Sequence, residues 1–329
     1  MSRAGPRICR PQSGAALLTA MIIVTLVASL ASAMVWRQYR AVQIEAAERA
    51  RAQAAWILQG SLDWARLILR EDARANQNEP VDHLGEVWAT PLAEARLSTF
   101  LAADKGNAED GPEAFLSGTI TDAQARYNLR NLLGGAQVPA LEQRVLERLC
   151  ETAGAPPGTA ALLISKLRSA FAVKAAASES AAPVSTDVVP LQPKNLDQLS
   201  WLGLTADTIE RLRPLLIMLP APTPVNLNTA PREVIAALFD GMDLASAERL
   251  VQARLAKPLR KVQDTKDYFP ATVAVSAERA SVDSSYFVVG GRLRLDERVL
   301  EERSLVQRRG LDMLVLDRQR VSQVLQVTP

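Results

Sequence analysis

Residues 14 to 40 read GAALLTAMIIVTLVASLASAMVWRQYR, and this stretch decides how the chain begins to fold. From Pro11 to Trp36 the sequence contains no charged residue. Arginines flank this apolar run on both sides: Arg3, Arg7, Arg10, Arg37 and Arg40. As a helix, residues 15 to 36 would be about 33 Å long, which is enough to cross a bilayer. The stretch therefore predicts a membrane-spanning helix near the N-terminus.

Three kinds of N-terminal segment are compatible with such a run. A secretory signal peptide would be cut after a small-x-small motif such as Ala31-Ser32-Ala33, and a plain membrane anchor would stay uncut. A prepilin signal would be cut at the cytoplasmic edge of the run, between Gly14 and Ala15, and the product would keep the whole helix. The short basic leader and the glycine at that edge favour the prepilin signal, with the other two as alternatives.

The sequence after the membrane span continues as a helix. Residues 41 to 72 are rich in Ala, Arg, Glu, Gln and Leu and contain no proline, a composition that favours helices. Within this segment Leu58, Leu62, Ala65 and Leu69 fall on one helical face. A cleaved signal peptide has no reason to continue into an amphipathic helix. The pattern therefore predicts one long helix whose second part packs against a globular domain.

Composition narrows the possible functions. The 329 residues are 48% hydrophobic, which allows a real core, and a net charge of +2 gives no field that would attract nucleic acid. His83, the single histidine, lies in a loop-like stretch and is expected to be structural or exposed. Cys150 has no partner for an intramolecular disulfide once Cys9 leaves with the leader, so we expect it to be a small core residue.

Strand patterns appear on either side of a helical middle. Phe115 to Asp122 alternates as a strand, and Ala125 to Leu129 is predicted to extend it or pair with it. Leu92 to Leu101 is predicted to be a short helix. Three strands are predicted at the C-terminus, where the sequence alternates again: Tyr286 to Leu295, Val299 to Arg308 and Leu311 to Val321. These strands and the earlier one are expected to share one antiparallel sheet, which makes the fold class α+β.

The middle of the chain reads as helices inserted into that α+β domain. They are predicted at Ala140 to Ala153, Thr159 to Val173, Leu196 to Leu202, Ala206 to Leu219, Ala230 to Phe239 and Asp243 to Ala256. Residues 174 to 193 are rich in Ala, Ser and Pro and are predicted to be a linker. Asn228 or Thr229 is expected to cap the helix that begins at Ala230.

Four blocks of sequence together resemble one known family over nearly the whole chain. They are GAALLTAM at Gly14 to Met21, AWILQGSLDWARLILRED at Ala55 to Asp72, DAQARYNLRNLL at Asp122 to Leu133 and VNLNTAPREVIAAL at Val225 to Leu238. In content and order they resemble the type II secretion minor pseudopilin K family, also called general secretion pathway protein K.

The resemblance implies a pilin-like fold with a long N-terminal transmembrane α-helix, an antiparallel sheet and a large inserted, mostly α-helical domain. The inserted domain would be SAM-like or helix-hairpin-helix-like. The predicted segments are a prepilin leader peptide at 1–14, the transmembrane half of the helix at 15–36 and its periplasmic half at 37–76. The first part of the pilin-like domain then follows at 77–133, the inserted helical domain at 134–284 with its linker at 174–193, and the C-terminal β-meander at 285–329.

The resemblance also implies a function that is structural rather than enzymatic. Family members cap the tip of a short periplasmic pseudopilus and initiate its assembly for protein export. The implied partners are minor pseudopilins I and J, the major pseudopilin, the prepilin peptidase and the inner-membrane secretion platform. The peptidase would cut between Gly14 and Ala15 and N-methylate Ala15. The product would be a single-pass inner-membrane protein with a periplasmic C-terminal domain.

Thr19 departs from the general pilin pattern in a way that has a physical interpretation. Most pilins carry glutamate at this fifth position of the mature chain, where it is thought to pair with the amino terminus of the subunit ahead. A carboxylate inside hydrocarbon is costly unless it is paired. A subunit with nothing ahead of it needs no such carboxylate, so Thr19 predicts a position at the tip.

Calcium binding occurs in some members of the family, but the ligands cannot be assigned by motif here. Asp104, Asn107, Glu109 and Asp110 supply oxygens, yet their spacing does not match an EF-hand loop. We therefore predict a solvated acidic loop and assign no metal ligand and no cofactor.

Two other functions compete with the structural role. VNLNTA followed by two helices resembles the helix-hairpin-helix of membrane-anchored DNA receptors. Its connection, Phe239 to Asp243, carries two acids that would repel a phosphate, so no nucleic acid is expected as a partner. An enzyme is also not expected: Asp122 and Asp197 are isolated carboxylates, and the sequence has no phosphate loop, nucleophile elbow or metal-ligand cluster.

Overall fold

The computed structural model describes residues 15–97, 114–135, 137–176, 191–295 and 298–324. Helix α1 runs without interruption from Ala15–Ala75, over 61 residues. The chain divides into two compact units, Met1–Ile57 and Leu58–Pro329, so that the boundary falls inside α1. The prediction of one continuous helix across the apolar run and the amphipathic segment is confirmed.

A five-stranded antiparallel sheet forms one layer of the second unit within the described residues. Its strands are β1 (Leu92–Arg96), β2 (Ala114–Asp122), β7 (Tyr286–Leu295), β8 (Arg298–Arg309) and β9 (Asp312–Val324), in that spatial order. Strand β2 pairs directly with β7, although the two strands lie far apart in the chain. The prediction that the early strand and the three C-terminal strands share a sheet is confirmed.

Strand β1 corrects the prediction of a short helix from Leu92 to Leu101. The sequence Leu-Ala-Glu-Ala-Arg has a high helix propensity, but here it pairs with the edge of β2, with Ala95 opposite Leu116. Glu94 also forms an ion pair with Arg294 of β7 at 2.8 Å. Tertiary pairing therefore overrides the local preference. Residues 98–113, including the acidic loop predicted at 104–113, lie outside the described residues.

The last part of α1 packs on one face of this sheet. Its buried side chains, which include Leu62 and Leu69, form a core with Trp88, Phe287 and Val306. Helix and sheet approach closely at Gly291, where an added Cβ atom would lie 3.2 Å from Leu58 Cδ2 and from Ser61 Oγ. The predicted stripe of Leu58, Leu62, Ala65 and Leu69 is the face that is buried.

The helical region lies between β2 and β7 in the chain and has a core of its own. Its α-helices are α2 (Ala140–Thr152), α3 (Thr159–Ala176), α4 (Ala206–Leu212), α5 (Arg232–Leu238) and α6 (Leu244–Ala256). Cys150 is buried on α2, as predicted. Of the predicted linker, residues 177–190 lie outside the described residues, and the segment before them still belongs to α3.

Short strands and a 3₁₀ helix in this region correct three predictions about secondary structure. The predicted helix from Ala206 to Leu219 ends at Leu212, since the chain then forms β4 (Leu216–Ile217). Strand β4 pairs in parallel with β3 (Tyr127–Asn128), so residues 125–129 do not extend or pair with β2. The segment from Leu196 is a 3₁₀ helix, Asp197–Leu202. Buried backbone groups in these connections are paired by two-residue parallel ladders rather than by further helical turns.

The start of α5 also differs from the prediction. Pro231 is the N-cap residue, and it makes no side-chain cap hydrogen bond. Asn228 and Thr229 were expected to cap this helix, but their side chains bond to other elements. Asn228 bridges the amide and carbonyl of Leu259, at 2.8 and 2.9 Å. Strand β5 (Val225–Asn226), just before it, pairs in parallel with β6 (Ala280–Ser281).

Candidate assembly site on the N-terminal helix

The first part of α1 exposes apolar side chains on every side. Residues 15 to 46 are all exposed, and the large apolar side chains of Leu17, Leu26 and Leu30 are 58 to 68% exposed. In the part of the chain that the structure describes, α1 is the helix that is long and apolar enough to cross a membrane. Such a surface is suited to hydrocarbon or to other apolar helices.

Polar side chains within this apolar part are satisfied by the helix itself. The Thr19 hydroxyl lies 3.0 Å from the carbonyl oxygen of Ala15 and 2.9 Å from that of Ala16. The Thr25 hydroxyl donates to Ile22 O at 2.9 Å, in the same manner. These hydroxyls therefore need no partner from water or from another chain. Ala15 is the first described residue, and Gly14, the other half of the predicted cleavage site, lies outside the described residues.

The last part of α1 has two different faces. Leu62 and Leu69 are buried against the sheet, whereas Trp64 is 64% exposed and Leu67 is 43% exposed. A tryptophan on the outer face of a helix whose inner face is already packed is available to another protein surface.

A buried ionic cluster fixes the end of α1 to the sheet. Arg308 of β8 forms ion pairs with Asp72 at 3.0 Å and with Asp82, and it donates to Ser284 O at 2.6 Å. Glu86 accepts hydrogen bonds from the Trp88 indole at 2.7 Å, the Asn76 side chain at 3.0 Å and a backbone amide. The cluster thus joins α1, the following loop and β8.

Burial changes the ionisation of these carboxyls. Desolvation raises the pKa of Asp82 to about 7 and that of Asp72 to about 6, while Arg308 acts in the opposite direction on both. His83, in the same loop, accepts a hydrogen bond from the Gly85 amide on Nδ1 at 3.1 Å. That contact agrees with its predicted structural role.

A second buried polar cluster brings two of the sequence motifs together. Asp122 accepts hydrogen bonds from the side chains of Asn226 at 3.0 Å, Thr229 at 2.6 Å and Ser284 at 2.6 Å. It also accepts one from the Gln124 amide at 2.7 Å. Burial raises the pKa of this carboxyl, and the four donors oppose that effect. Residues of the sequence motifs DAQARYNL and VNLNTAP therefore hold the sheet and the helical region together.

The two carboxylates weighed as catalytic residues are both engaged in structural contacts. Asp122 is surrounded by donors, as described above. Asp197 forms an ion pair with Arg213 at 2.5 Å. Asp82, Ser284 and Arg308 were missed by sequence reasoning, because a single loop aspartate, a serine and a strand arginine carry no recognisable pattern.

Three carboxylates lie close enough to one another to be considered as calcium ligands. Asp72, Asp82 and Glu86 offer oxygens that all lie within 4.8 Å of one another. However, the Arg308 guanidinium already binds two of the three carboxylates. A divalent cation would need Arg308 to leave, so these residues do not fit calcium. The oxygen-bearing residues of the predicted acidic loop, Asp104, Asn107, Glu109 and Asp110, lie outside the described residues.

The hairpin between α5 and α6 is acidic at the position where a phosphate would bind. Asp240 pairs with Arg144 at 2.5 Å and with Arg148, and Asp243 accepts from the Ser246 amide at 2.6 Å to cap α6. Arg254, one of the basic residues of this region, is buried and donates to Leu227 O. The geometry therefore offers little to a nucleic-acid backbone at this hairpin.

Comparison with known proteins relates this chain to one family. Two family models described as "Type II secretion system (T2SS), protein K" match residues 225–289 and 125–221. Type II secretion system protein K of Klebsiella pneumoniae is 32% identical over 339 residues, which cover 93% of this chain and 96% of the relative. The protein of the same description from Pseudomonas aeruginosa is 28% identical over 302 residues, covering 88% and 86%.

One solved structure has a similar fold. It is a chain in the crystal structure of the GspK-GspI-GspJ complex from the enterotoxigenic Escherichia coli type 2 secretion system. It aligns with a TM-score of 0.61 at 23% sequence identity and covers 84% of this chain and 98% of that chain. The two matched family segments contain the whole of the VNLNTAP motif and residues 125–129 of the DAQARYNL motif.

Proposed function

Because this chain belongs to the type II secretion system protein K family, we propose that it caps the tip of the periplasmic pseudopilus and initiates its assembly. In this role it is a non-enzymatic minor pseudopilin that serves protein export across the outer membrane. The observation that carries the proposal is helix α1, which is continuous from Ala15–Ala75 and is apolar on all sides at its start.

The proposed maturation follows from the sequence at the edge of the apolar run, where Gly14 precedes Ala15 after a short basic leader. A prepilin peptidase that cuts between Gly14 and Ala15 would remove the leader and leave the whole helix on the product, with Ala15 N-methylated. The helix would then hold the protein in the inner membrane as a single-pass anchor. The domain that contains the sheet and the helical region would lie in the periplasm.

The tip position is supported by Thr19 and by the bulk of the helical region. The Thr19 hydroxyl is satisfied by its own helix, so it makes no demand on a subunit ahead. The helical region would be an inserted domain, residues 134–284, within a pilin-like domain formed by 77–133 and 285–329. An insertion of that size is difficult to repeat along a tightly packed fibre, which favours the end of the fibre.

The proposed partners are minor pseudopilins I and J. The related structure is described as a GspK-GspI-GspJ complex, and the outer face of α1 with Trp64 offers an apolar surface for neighbouring helices. Contacts with the major pseudopilin, the prepilin peptidase and the inner-membrane platform are also proposed. The Asp72, Asp82 and Glu86 group gives no support to calcium as a cofactor, because Arg308 pairs with two of its three carboxylates.

Gold labelling of assembled pseudopili tests the tip position. The full chain with a C-terminal tag is produced together with its pseudopilin partners, and the fibres are labelled through the tag. We expect label at one end of each fibre and co-purification of minor pseudopilins I and J in detergent. Label distributed along the fibre, or no co-purification, would contradict the proposal.

The variant Thr19→Glu tests the role of that position, with Thr25→Glu as the matched control. Both variants place one carboxylate in the apolar part of α1, at hydroxyls with similar intrahelical hydrogen bonds. We expect Thr19→Glu to alter the labelled end, with other subunits added beyond it, and Thr25→Glu to lower only the amount of membrane-inserted protein. If Thr19→Glu and the natural protein give identical fibres, Thr19 does not determine the position at the tip.

A further inference from the structure

A polar and aromatic patch lies on α1 directly after the apolar run. It consists of Trp36, Arg37, Tyr39, Arg40 and Gln43, which we call the interfacial patch. Four of these residues occupy positions i, i+3, i+4 and i+7 of the helix, so they share one face, and Arg37 borders that face one turn before Arg40. The Trp36 and Tyr39 side chains are 65% and 64% exposed. The patch is therefore open to whatever surrounds the helix at this level.

Contacts within the interfacial patch orient its polar groups. The guanidinium carbon of Arg40 lies 5.9 Å from the centre of the Trp36 ring, which is a cation–π distance. The Gln43 side-chain amide donates to the Tyr39 hydroxyl oxygen at 3.1 Å. Since that oxygen accepts from Gln43, the Tyr39 hydroxyl can donate its own hydrogen to a further acceptor. The patch therefore offers guanidinium and hydroxyl donors beside two aromatic rings.

The two arginines of the interfacial patch have no carboxylate partner in the part of the chain that the structure describes. Arg37 and Arg40 precede every acidic residue of the sequence, since Glu45 is the first. Glu45 in turn pairs with Arg49 at 2.7 Å, further from the apolar run. The patch therefore carries two positive charges that an anion from outside the chain would complement.

Distance along the helix places this patch among lipid headgroups, an inference that rests on the proposed role of α1 as a membrane anchor. Residues 15 to 36 fill a hydrocarbon core of about 30 Å, and a headgroup layer of about 5–7 Å lies on each side of such a core. At about 1.5 Å per residue, Arg37 and Arg40 lie about 1.5 and 6 Å beyond Trp36, within that layer. Glu45 lies about 13 Å beyond Trp36 and outside the layer. At headgroup depth the helix therefore presents cations and no carboxylate.

We propose that the interfacial patch binds the headgroup of an anionic phospholipid, with the phosphate held by Arg37 and Arg40. Guanidinium groups bind phosphate oxygens through paired hydrogen bonds, and Trp and Tyr side chains favour the same layer of a membrane. A zwitterionic lipid carries its own cation beside the phosphate, so an anionic lipid complements the two arginines better. A carboxylate on a neighbouring protein helix is the alternative occupant. The depth of the patch favours the lipid, because phosphate groups surround the helix there.

The test measures which lipid lies beside Trp36 in the full chain. The protein is reconstituted into two kinds of vesicle with equal contents of phosphatidylglycerol, phosphatidylcholine and brominated lipid. The bromine, near the headgroup end of the acyl chain, is carried by phosphatidylglycerol in one kind and by phosphatidylcholine in the other. Bromine quenches tryptophan fluorescence at short range, and the share of Trp36 is the quenching that is lost in Trp36→Phe. We expect quenching to indicate at least about fivefold enrichment of phosphatidylglycerol, the contribution of one arginine near an anionic surface.

The double variant Arg37→Gln/Arg40→Gln locates the preference. Glutamine is a good helix former, so α1 should stay helical, which circular dichroism checks. The matched control Arg49→Gln/Arg51→Gln removes the same charge from side chains that are 70% and 71% exposed and pair with carboxylates beyond the headgroup layer. Quenching by brominated phosphatidylcholine verifies that each variant is inserted. We expect the first variant to lose the preference for phosphatidylglycerol and the control to keep it.

Three results would overturn the proposal. The first is equal quenching of Trp36 by the two brominated lipids, and the second is an equal loss of preference in Arg37→Gln/Arg40→Gln and in the control. The third is equal quenching together with loss of co-purified minor pseudopilins in Arg37→Gln/Arg40→Gln, which would assign the patch to carboxylates of a partner protein. The absence of Trp36 quenching by either lipid would instead contradict the membrane anchor itself, so the failure of the proposed function is distinguishable from the failure of this inference.

Discussion

The two parts of helix α1 share a backbone conformation but differ in what surrounds their apolar residues. In the first part Leu17, Leu26 and Leu30 are 58 to 68% exposed, whereas in the last part Leu62 and Leu69 are at most 2% exposed. The first part is apolar all round, and the last part is apolar on one face only. The comparison shows that the periodicity of apolar residues, rather than their number, determines which part can pack on a sheet.

The largest expected effect concerns the ionic cluster that fixes the end of α1. Arg308→Gln leaves Asp82, which is 1% exposed, without its cationic partner. Breaking a buried ion pair in this way typically costs about 3–5 kcal/mol. We expect a loss of that size in the free energy of unfolding of the second unit, measured by urea titration of the full chain in micelles. Arg309→Gln, at the exposed neighbouring position, is the control and should have little effect; equal losses would contradict a specific role for Arg308.

A slightly smaller loss in the free energy of unfolding is expected when a side chain is removed from the buried apolar face of the last part of α1. Leu69→Ala removes a fully buried side chain, and such substitutions cost about 2–5 kcal/mol. Leu67→Ala is the matched control, because Leu67 lies in the same helical turn and is 43% exposed. We expect its effect to be within about 0.5 kcal/mol. If both variants unfold at the same urea concentration, the helix does not pack as described.

The pH dependence of stability tests the ionisation of the same cluster. The pKa values of Asp82, about 7, and Asp72, about 6, lie above the ordinary 3.8, so the folded state binds more protons than the unfolded state between these limits. The free energy of unfolding should therefore fall as pH rises from about 4 to about 7. One such carboxyl contributes at most about 1.4 kcal/mol per pH unit.

The variant Asp82→Asn serves as the control for this dependence. It cannot titrate, so it should flatten the decline in stability between pH 4 and 7 while leaving the contribution of Asp72. A decline of the same slope in the variant and in the natural protein would assign the effect to other groups. Urea titrations at four pH values in this range provide the measurement.

The smallest effect is expected from an ion pair in the first part of α1. Glu45 and Arg49 stand four residues apart and pair at 2.7 Å, with both side chains 70% exposed. Exposed pairs of this kind contribute less than about 0.5 kcal/mol. We expect Glu45→Gln to change hydrogen exchange of the surrounding helix only slightly, in contrast to Arg308→Gln. Strong loss of protection would mean that the pair holds this segment in a way that its exposure does not indicate.

The architecture of the long helix and of the sheet could be predicted from the sequence because both have clear periodicities. The stripe at Leu58, Leu62 and Leu69 has the helical period, and Gly291 to Leu295 alternates as a strand. The predicted helix that begins at Leu92 was wrong because local composition was the only signal there. Its segment has helix-forming residues, but pairing with β2 decides its structure, and pairing between distant strands has no local signal.

The candidate site was predicted less completely than the fold. The roles of Ala15 and Thr19 come from the resemblance and from the edge of the apolar run, and they stay predictions. The ionic cluster could not be predicted, because Arg308 and Asp82 are separated by 226 positions in the chain and neither residue belongs to a motif. The structural role of VNLNTAP could not be predicted from the sequence either. Asn226 bonds to Asp122 and Ser284, and these contacts exist only once the strands have paired.

The central claim is that α1 remains whole on the mature protein as its membrane anchor. N-terminal sequencing and intact-mass measurement of the protein, purified from membranes that contain a prepilin peptidase, test it most directly. The account predicts a mature chain that starts at N-methylated Ala15. A start at Met34 would mean that the first part of the helix is removed as a signal peptide, and an intact Met1 would mean a simple anchor; either result would contradict the account.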